Sequence, residues 1–491
     1  MAWNFEVSRR NFLFGSSAFA ILAGGRAFCA PSGAFDGGDA KLRFGVMSDV
    51  HLVEPGDEDT LVATLKYYRS RGVDGVMVAG DIADYGRVDQ FKLFADTWFS
   101  VFPDDKGEDG RHVERLFVYG NHDIDAWKWK RPWNRGLDEE SLKKQGIGSG
   151  DNRSRLWEEL FHEKYEPIWM KKVRGYTFIG AHWKNGKHTD IAGFLKAHEN
   201  EIDKDLPFFY VQHAHPKDTC FGSWAWGHDD GTSTRALSRF PNAVAFSGHS
   251  HYTLADDRTV WQGSFTSINT ASLKYPSLDY SLRDNVAHDN GFGYRGEKGR
   301  IKPSPLFSGE KLSRQAMLVT VYDDRMVIER REFVSGLSLG DDWVILLPVA
   351  ASKPFAYAEQ AKRKVAPEFP EGAKVAVDFV EDENKEVGMT ARLVLPRAEE
   401  RGGCRVFDYE VTAVLFEEDV DLVQVQRRFI APDFFLPLEQ KIATCEFRIP
   451  LSDLKLKGRY RFRVVPIESF GKKGRAIWSD TIKVENSPNK S

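Results

Sequence analysis

The chain has 491 residues, enough for two or three domains with a buried core each. Its 68 Lys and Arg against 72 Asp and Glu give a formal charge of -4, which argues against a dedicated nucleic-acid binder, because such proteins carry a basic footprint. The apolar and aromatic content is that of a globular protein and carries no compositional signature of disorder.

The first segment reads as an address. Ser8-Arg9-Arg10-Asn11-Phe12-Leu13 sets paired arginines before an apolar run, Phe12 to Gly25, that is too short to span a bilayer comfortably. The hexapeptide resembles the twin-arginine signal of exported bacterial proteins. Cleavage is expected after Ala30 or Ala34, with Ser32-Gly33-Ala34 fitting the small-x-small rule better. Residues 1–34 are therefore expected to be a leader, and the remainder a periplasmic or extracellular protein with no stable membrane anchor. Cys29 leaves with the leader. Cys404 and Cys445 are read equally as a disulfide, which export permits, or as two buried thiols. The chain has no Cys-x-x-Cys pair, which argues against a thiolate zinc site.

From Lys41 to about Ala271, short apolar runs alternate with amphipathic ones, an α/β pattern. Strands are predicted at Leu42–Met47, Gly75–Ala79, Arg115–Tyr119, Tyr176–Gly180, Pro207–Gln212 and Ala243–Ser247. Helices are predicted at Thr60–Ser70, with Leu61, Leu65 and Tyr68 on one face, and at Val88–Phe99. The stretch from Trp127 to Leu156 reads as a long loop with one short helix, and Tyr275 to Ser313 as a second irregular stretch. A hairpin is expected over Gln315–Val334, turning at Asp323-Asp324-Arg325, and a proline-marked linker over 346–372. This makes 35–345 one domain and 373–491 an all-β one. In the latter, Leu454-x-Leu456-x-Gly458-x-Tyr460 resembles the tyrosine corner of fibronectin type III modules, implying an Ig/fibronectin-like sandwich.

Five short motifs begin where predicted strands end: Asp49-Val50-His51, Gly80-Asp81, Gly120-Asn121-His122-Asp123, His213, and Gly248-His249-Ser250-His251. In open α/β sheets, ligands sit beyond the carboxyl ends of the strands, so five strands ending on one edge can gather these side chains without long loops. Asp, Asn and His suit first-row metals such as iron, manganese or zinc. Alternation in Asp49-x-His51 and His249-x-His251 lets both members of each pair reach one place. Gly80, Gly120 and Gly248 are expected to permit tight turns there.

The ordered set resembles that of the calcineurin-like metallophosphoesterases over about Lys41 to Val334. The resemblance implies a four-layer α-β-β-α sandwich and two metal ions. It implies one metal on Asp49, His51 and His251, the other on Asn121, His213 and His249, and Asp81 bridging them. It also implies attack on phosphorus by a metal-bridged hydroxide, and makes His122 a hydrogen-bond or proton donor to the leaving group, oriented by Asp123. His213-Ala214-His215-Pro216 stands where many relatives have His-His-Pro. His213 directly ends the strand and is taken as the ligand, with His215 lining the pocket. Asp84 is read either as supporting the site from behind the ligands or as solvating a helix start, with the second reading preferred. The purple acid phosphatase pattern, with a Tyr ligand after the bridging Asp, is absent.

The expected substrate is a small or medium phosphate mono- or diester, with the motifs nearer the diesterase branch. Lys128, Lys130, Arg131 and Arg135, interleaved with Trp127, Trp129 and Trp133, read either as a lid over an anionic, partly apolar substrate or as an exposed basic loop. A nuclease, or a wall- or polysaccharide-binding protein led by the C-terminal domain, are the alternatives.

Overall fold

Each predicted strand of the first domain forms within a residue or two of its expected bounds, because each is an apolar run long enough to cross a sheet and buried on both faces. The computed structural model describes residues 29–30, 39–129, 140–141, 150–184, 187–188, 190–222, 225–277, 292–295, 301–303, 313–382, 385, 387–417, 420–454 and 456–485. Apart from Cys29 and Ala30, the expected leader lies outside them. So do Lys130, Arg131, Trp133 and Arg135 of the expected lid, and most of the stretch from Tyr275 to Ser313.

In chain order the first domain runs β1 (Leu42–Met47), α1 (Asp59–Ser70), β2 (Gly75–Ala79), α2 (Val88–Val101), β3 (Glu114–Val118), the short α3 (Asn121–Asp125) and α4 (Gly150–Phe161). It continues through β4 (Ile168–Val173), β5 (Tyr176–Ala181), β6 (Phe208–Val211), α5 (Thr232–Leu237), β7 (Ala243–Ser247), β8 (Val260–Gln262) and β9 (Thr266–Asn269). The expected hairpin is β10 (Gln315–Val321) and β11 (Arg325–Glu332), followed by β12 (Asp342–Leu346).

Two sheets face each other. One has the order β12-β11-β10-β1-β2-β3, with Cys29–Ala30 added beside β12, and the other the order β8-β9-β7-β6-β5-β4. Pairing is parallel across β1-β2-β3 and across β5-β6-β7-β9, so the motif-bearing strands of each sheet share one direction. Alternate residues divide the strands between layers: Phe44, Val46, Phe178, Phe209 and Phe246 fill the space between the sheets. Met47, Val76, Val78 and Phe117 instead face the helices, where Leu61, Leu65 and Tyr68 of α1 and Phe94 and Trp98 of α2 cover them. Ile179, Tyr210 and Ala245 are covered on the opposite side by Leu195, Ala236 and Leu237. The result is the four-layer α-β-β-α arrangement. Phe44 meets the rings of Phe178, Phe209 and Phe246 at 5.2, 4.8 and 5.9 Å, so truncating it to Ala should cost about 3–5 kcal/mol.

The 346–372 segment is more than a spacer. It holds α6 (Tyr357–Arg363), with Phe355 and Gln360 buried against the first domain, and its prolines flank the helix instead of stiffening an extended link.

Beyond it lies an all-β domain. One sheet pairs β13 (Ala376–Glu381), β14 (Met389–Pro396) and β17 (Thr444–Pro450). The other joins β16 (Val420–Ile430), β15 (Val406–Glu417) and β18 (Gly458–Glu468), with β19 (Ile477–Trp478) and β20 (Ile482–Val484) both on β18. Tyr460 is buried and its hydroxyl donates to the Leu456 carbonyl at 2.8 Å. Cys404 and Cys445 are not bonded to each other; both are buried free thiols, Cys404 accepting from the Val365 amide. The two domains touch: Arg258 of the first sits 4.4 Å over the Phe407 ring, and Arg405 of the second donates to the Leu339 carbonyl at 2.6 Å. Among the described residues no helix is long and apolar enough to cross a membrane.

Candidate metal centre

All five motifs meet at one edge of the facing sheets, beyond β1, β2, β3, β6 and β7. The turns that gather them are strained. Asp49, His51, Asp81, His249 and His251 all have left-handed backbone, with φ of 50, 48, 52, 69 and 55°. Such a conformation costs a non-glycine residue on the order of 1–3 kcal/mol and persists only where the surroundings over-determine it. Here they do. The Asp49 and His51 amides donate to the Gly80 and Asp81 carbonyls at 3.0 Å each, and Ser272 Oγ donates to the Asp49 carbonyl at 2.9 Å.

The glycines act mainly through space. Gly80 does adopt positive φ, 89°, but a Cβ there would also stand 2.5 Å from His213 Nδ1. On Gly120 it would collide with Asp81 Oδ1, and on Gly248 with Asp49 Oδ2. Close approach of backbone to ligand, more than turn geometry, excludes side chains from the last two positions.

Each of three imidazoles is tied by one nitrogen and presents the other. His51 Nδ1 lies 3.0 Å from Asp84 Oδ1, His213 Nδ1 2.8 Å from the Ala79 carbonyl, and His251 Nδ1 3.1 Å from the Tyr275 carbonyl. A proton on Nδ1 satisfies each of these contacts and leaves the Nε2 lone pair facing inward, the arrangement by which outer partners orient metal-binding histidines. The inward atoms converge. His251 Nε2 is 2.9 Å from Asp49 Oδ1 and 3.3 Å from His51 Nε2; His213 Nε2 is 2.7 Å from Asn121 Oδ1 and 3.1 Å from Asp81 Oδ2. Two groups result, Asp49–His51–His251 and Asp81–His213–His249, each with its ligand atoms within 4.8 Å of one another. A third overlapping group, His51–Asp81–His122, joins them.

The charge balance fits cations. Asp81 Oδ1 accepts the His122 amide at 2.8 Å, while its buried Oδ2 has no well-aligned donor among the described residues, although His213, His51 and His122 approach it. Burial opposes charge at His51, but the carboxylates of Asp49 and Asp84 outweigh it and push the ring up to about 10. Burial likewise opposes charge at His213, and Asp81 pushes it up to about 9. Burial also works against ionising Asp49 and Asp81, yet the facing imidazoles hold both well below the usual carboxylate range. Burial and the neighbouring His213 push His249 well below its ordinary value. A cation held by such a cluster would compete with protons for the same lone pairs, so its binding would fall as pH is lowered.

Asp123 is placed otherwise than the resemblance implied. It does not orient the His122 ring. Its carboxylate accepts the Gly120, Ala83 and Ile82 amides at 2.8, 2.8 and 3.3 Å, pinning the second and third motifs together by their backbones. Burial and the nearby Asp81 charge push it up to about 6. The His122 ring is held by Asp84, whose carbonyl accepts from Nδ1 at 2.7 Å. Asp84 therefore supports two rings of the site instead of solvating a helix start. His215 is fully buried 6.0 Å from the His228 ring, outside both groups, and burial pushes it down to about 3.

Residues 42–253 match the family described as calcineurin-like phosphoesterase, a span that contains all five motifs. That family is one of metal-dependent phosphoric ester hydrolases. Among solved structures, the chain is similar to a dimetal phosphatase from Danio rerio, at 16% identity over 63% of this chain and 99% of that one, with a TM-score of 0.33. It is similar to a purple acid phosphatase from yellow lupin, Lupinus luteus, at 13% identity over 64% and 56%, with a TM-score of 0.37. A third is an archaeal phosphodiesterase, at 11% identity over 53% and 98%, with a TM-score of 0.22. No curated protein matches the chain.

The first domain also rims its cluster with aromatic rings, most of which sequence reasoning passed over. Trp226 stacks on His249, with centroids 4.8 Å apart and planes 25° apart, and Tyr275 on His51 at 5.2 Å and 25°. Trp129, from the expected lid, meets His122 edge-on at 4.7 Å, while Lys128 of the same segment pairs with Asp125 at 2.6 Å. Trp226 lies between glycines in Phe221-Gly222-Ser223-Trp224-Ala225-Trp226-Gly227, the one local signal that a fixed turn carries it.

Proposed function

We propose that the chain is an exported, dinuclear metal-dependent phosphoesterase acting on phosphate mono- or diesters. The observation that carries the reading is the buried Asp81 Oδ2, which has no well-aligned hydrogen-bond donor among the described residues, with His213 Nε2 3.1 Å and His51 Nε2 3.8 Å away. Asp49, His51 and His251 would hold one cation, Asn121, His213 and His249 the other, and Asp81 both. Mixed oxygen and nitrogen donors suit iron, manganese or zinc. When bound, such a pair supplies charge neutralisation at the phosphoryl oxygens and a water of lowered pKa.

The chain's own residues do the rest. Strained turns hold the ligands at fixed separation, so the site needs little reorganisation. His122, tied to the Asp84 carbonyl through Nδ1, keeps Nε2 on the cluster side, 4.0 Å from Asp81 Oδ2, where it can give a proton to the departing oxygen. The aromatic rim excludes water from the imidazoles and gives the organic part of the ester an apolar surface.

The test is metal content and hydrolysis of p-nitrophenyl phosphate against bis-p-nitrophenyl phosphate, with Mn, Fe, Zn or no metal added. Two ions per chain and metal-dependent turnover are expected, and the preferred ester separates mono- from diesterase. A chain that binds no metal at any loading would falsify the reading.

A further inference from the structure

Arg153, near the start of α4, is 2% exposed, and among the described residues no carboxylate lies within ion-pair distance of its guanidinium. A guanidinium keeps its charge at any ordinary pH, so burying one is unfavourable unless other contacts replace its water. Two do so here. The guanidinium carbon lies 4.9 Å over the Phe91 ring of α2, and Nη2 donates to the Gly86 carbonyl. Nε has no acceptor among the described residues. Burial pushes the group's pKa down, with Tyr119 and the Asp123 carboxylate opposing. An apolar side chain of similar length would fill this space at little cost or with a gain in stability. What the charge holds therefore matters more than the packing.

It holds the end of the loop that carries Asp84. Gly86 has a φ of 63°, and a Cβ on it would stand 2.9 Å from the His122 carbonyl oxygen and 2.8 Å from that of Asp123, so this end lies directly against the third motif. The other end is pinned by the Asp123 carboxylate, which accepts the Ile82 and Ala83 amides. Between the two pins sits Asp84, with its carboxylate on His51 Nδ1 and its carbonyl on His122 Nδ1. Gln90 Oε1 of α2 accepts the Tyr85 and Arg87 amides at 3.0 and 3.2 Å, which leaves the Gly86 carbonyl between them to α4. A displacement of about 1 Å at a reacting group costs on the order of 10²-fold in rate, so a loop that sets two rings has to be held at both ends.

We propose that Arg153 is a positioning residue of the phosphoesterase site: by holding the Gly86 carbonyl it fixes Asp84, and through Asp84 the rings of His51 and His122. The inference rests on the phosphoesterase reading above.

The test is a double-mutant cycle on wild type, Arg153→Met, Asp84→Ala and the double variant, with Arg153→Lys as the conservative control. Mn affinity of the apoproteins is measured by calorimetry. Turnover is measured on p-nitrophenyl phosphate against glycerol 3-phosphate, and on bis-p-nitrophenyl phosphate against glycerophosphoethanolamine. Arg153→Met should weaken Mn binding and lower kcat by about tenfold each, with the larger kcat loss on the glycerol ester, whose leaving oxygen needs the proton. Arg153→Lys, which keeps a charged donor, should recover most of both. The deciding comparison is the double variant: if Arg153 acts through Asp84, its loss is within about twofold of that in Asp84→Ala alone. Losses that multiply would mean general loosening, and together with unchanged values in Arg153→Met they are the results that overturn the proposal. Should Arg153→Met not fold, Arg153→Leu takes its place; if neither folds, Arg153 is a structural residue and the proposal falls. If wild type hydrolyses none of these esters, the phosphoesterase reading fails on that result and the Mn cycle decides this one. If it binds no Mn either, the hydrogen-bonded Nδ1 proton of His122 is followed by nuclear magnetic resonance in histidine-labelled protein. Its loss in Arg153→Met supports the proposal, and an unchanged resonance overturns it.

Discussion

The carboxylate of Asp84 lies 3.0 Å from Nδ1 of His51 and fixes that ring's orientation from outside the cluster. The same residue's carbonyl holds His122 at 2.7 Å, so a single position steadies both an expected ligand and the expected proton donor. Burial opposes its ionisation, but the two imidazoles keep it charged.

Asp84→Ala should therefore weaken metal binding by about 10–100-fold, the usual cost of losing a partner behind a ligating histidine. Asp84→Asn, which keeps an acceptor without the charge, should lose less. Titrating the apoprotein with Mn or Zn while following bound metal checks the order, and equal affinity in all three proteins would remove Asp84 from the site.

His122→Ala should leave two metals bound while kcat falls about 10²–10⁴-fold. If the ring protonates the leaving oxygen, the loss must be larger for an alkyl ester than for a p-nitrophenyl ester, whose leaving group needs no proton. Equal losses on both would point to ground-state binding of phosphate instead.

Gly120→Ala tests close approach without touching a ligand. Its Cβ would collide with Asp81 Oδ1, so bound metal should drop even though far-UV circular dichroism stays native. Retention of two ions would show that the turn can yield.

His182 predicts a pH dependence apart from the metal centre. It is buried, and its Nδ1 accepts the Tyr119 amide at 3.0 Å, which requires that nitrogen to be unprotonated. Burial pushes it down to about 3 from an ordinary 6.5. The folded pKa lies below the unfolded one, so between these values the unfolded chain binds the additional proton and stability rises with pH. Its contribution is at most about 1.4 kcal/mol per pH unit. Urea unfolding at pH 7 and pH 5.5 should show a larger acid loss in wild type than in His182→Asn. Parallel losses would assign the acid sensitivity elsewhere.

Replacing Arg9 and Arg10 by Lys should strand active enzyme in the cytoplasm, because the twin-arginine route exports folded proteins. Normal secretion of that variant would refute the leader.

The strands were legible because each is an apolar run buried on both faces, and α1 because Leu61, Leu65 and Tyr68 recur at helical spacing. α4 was harder to read: much of the apolar face it packs against α2 is aromatic, and it follows a long polar stretch. The paired thiols were undecidable for another reason, since spacing carries no distance. Cys404 and Cys445 belong to segments whose proximity only folding sets.

By itself, the sequence determined the strand order along the chain and the residues standing at the strand ends, because periodicity and burial are local and the five motifs are contiguous. It therefore named Asp49, His51, Asp81, Asn121, His122, His213, His249 and His251. Only the tertiary structure decided what acts on them. Asp84 serves two rings, Asp123 anchors backbone, three glycines yield space to ligands, and Trp226 covers His249 from a turn fastened by Tyr252. Those relations join residues far apart in the chain through hydrogen bonds and close contacts, and no local pattern of polarity encodes them.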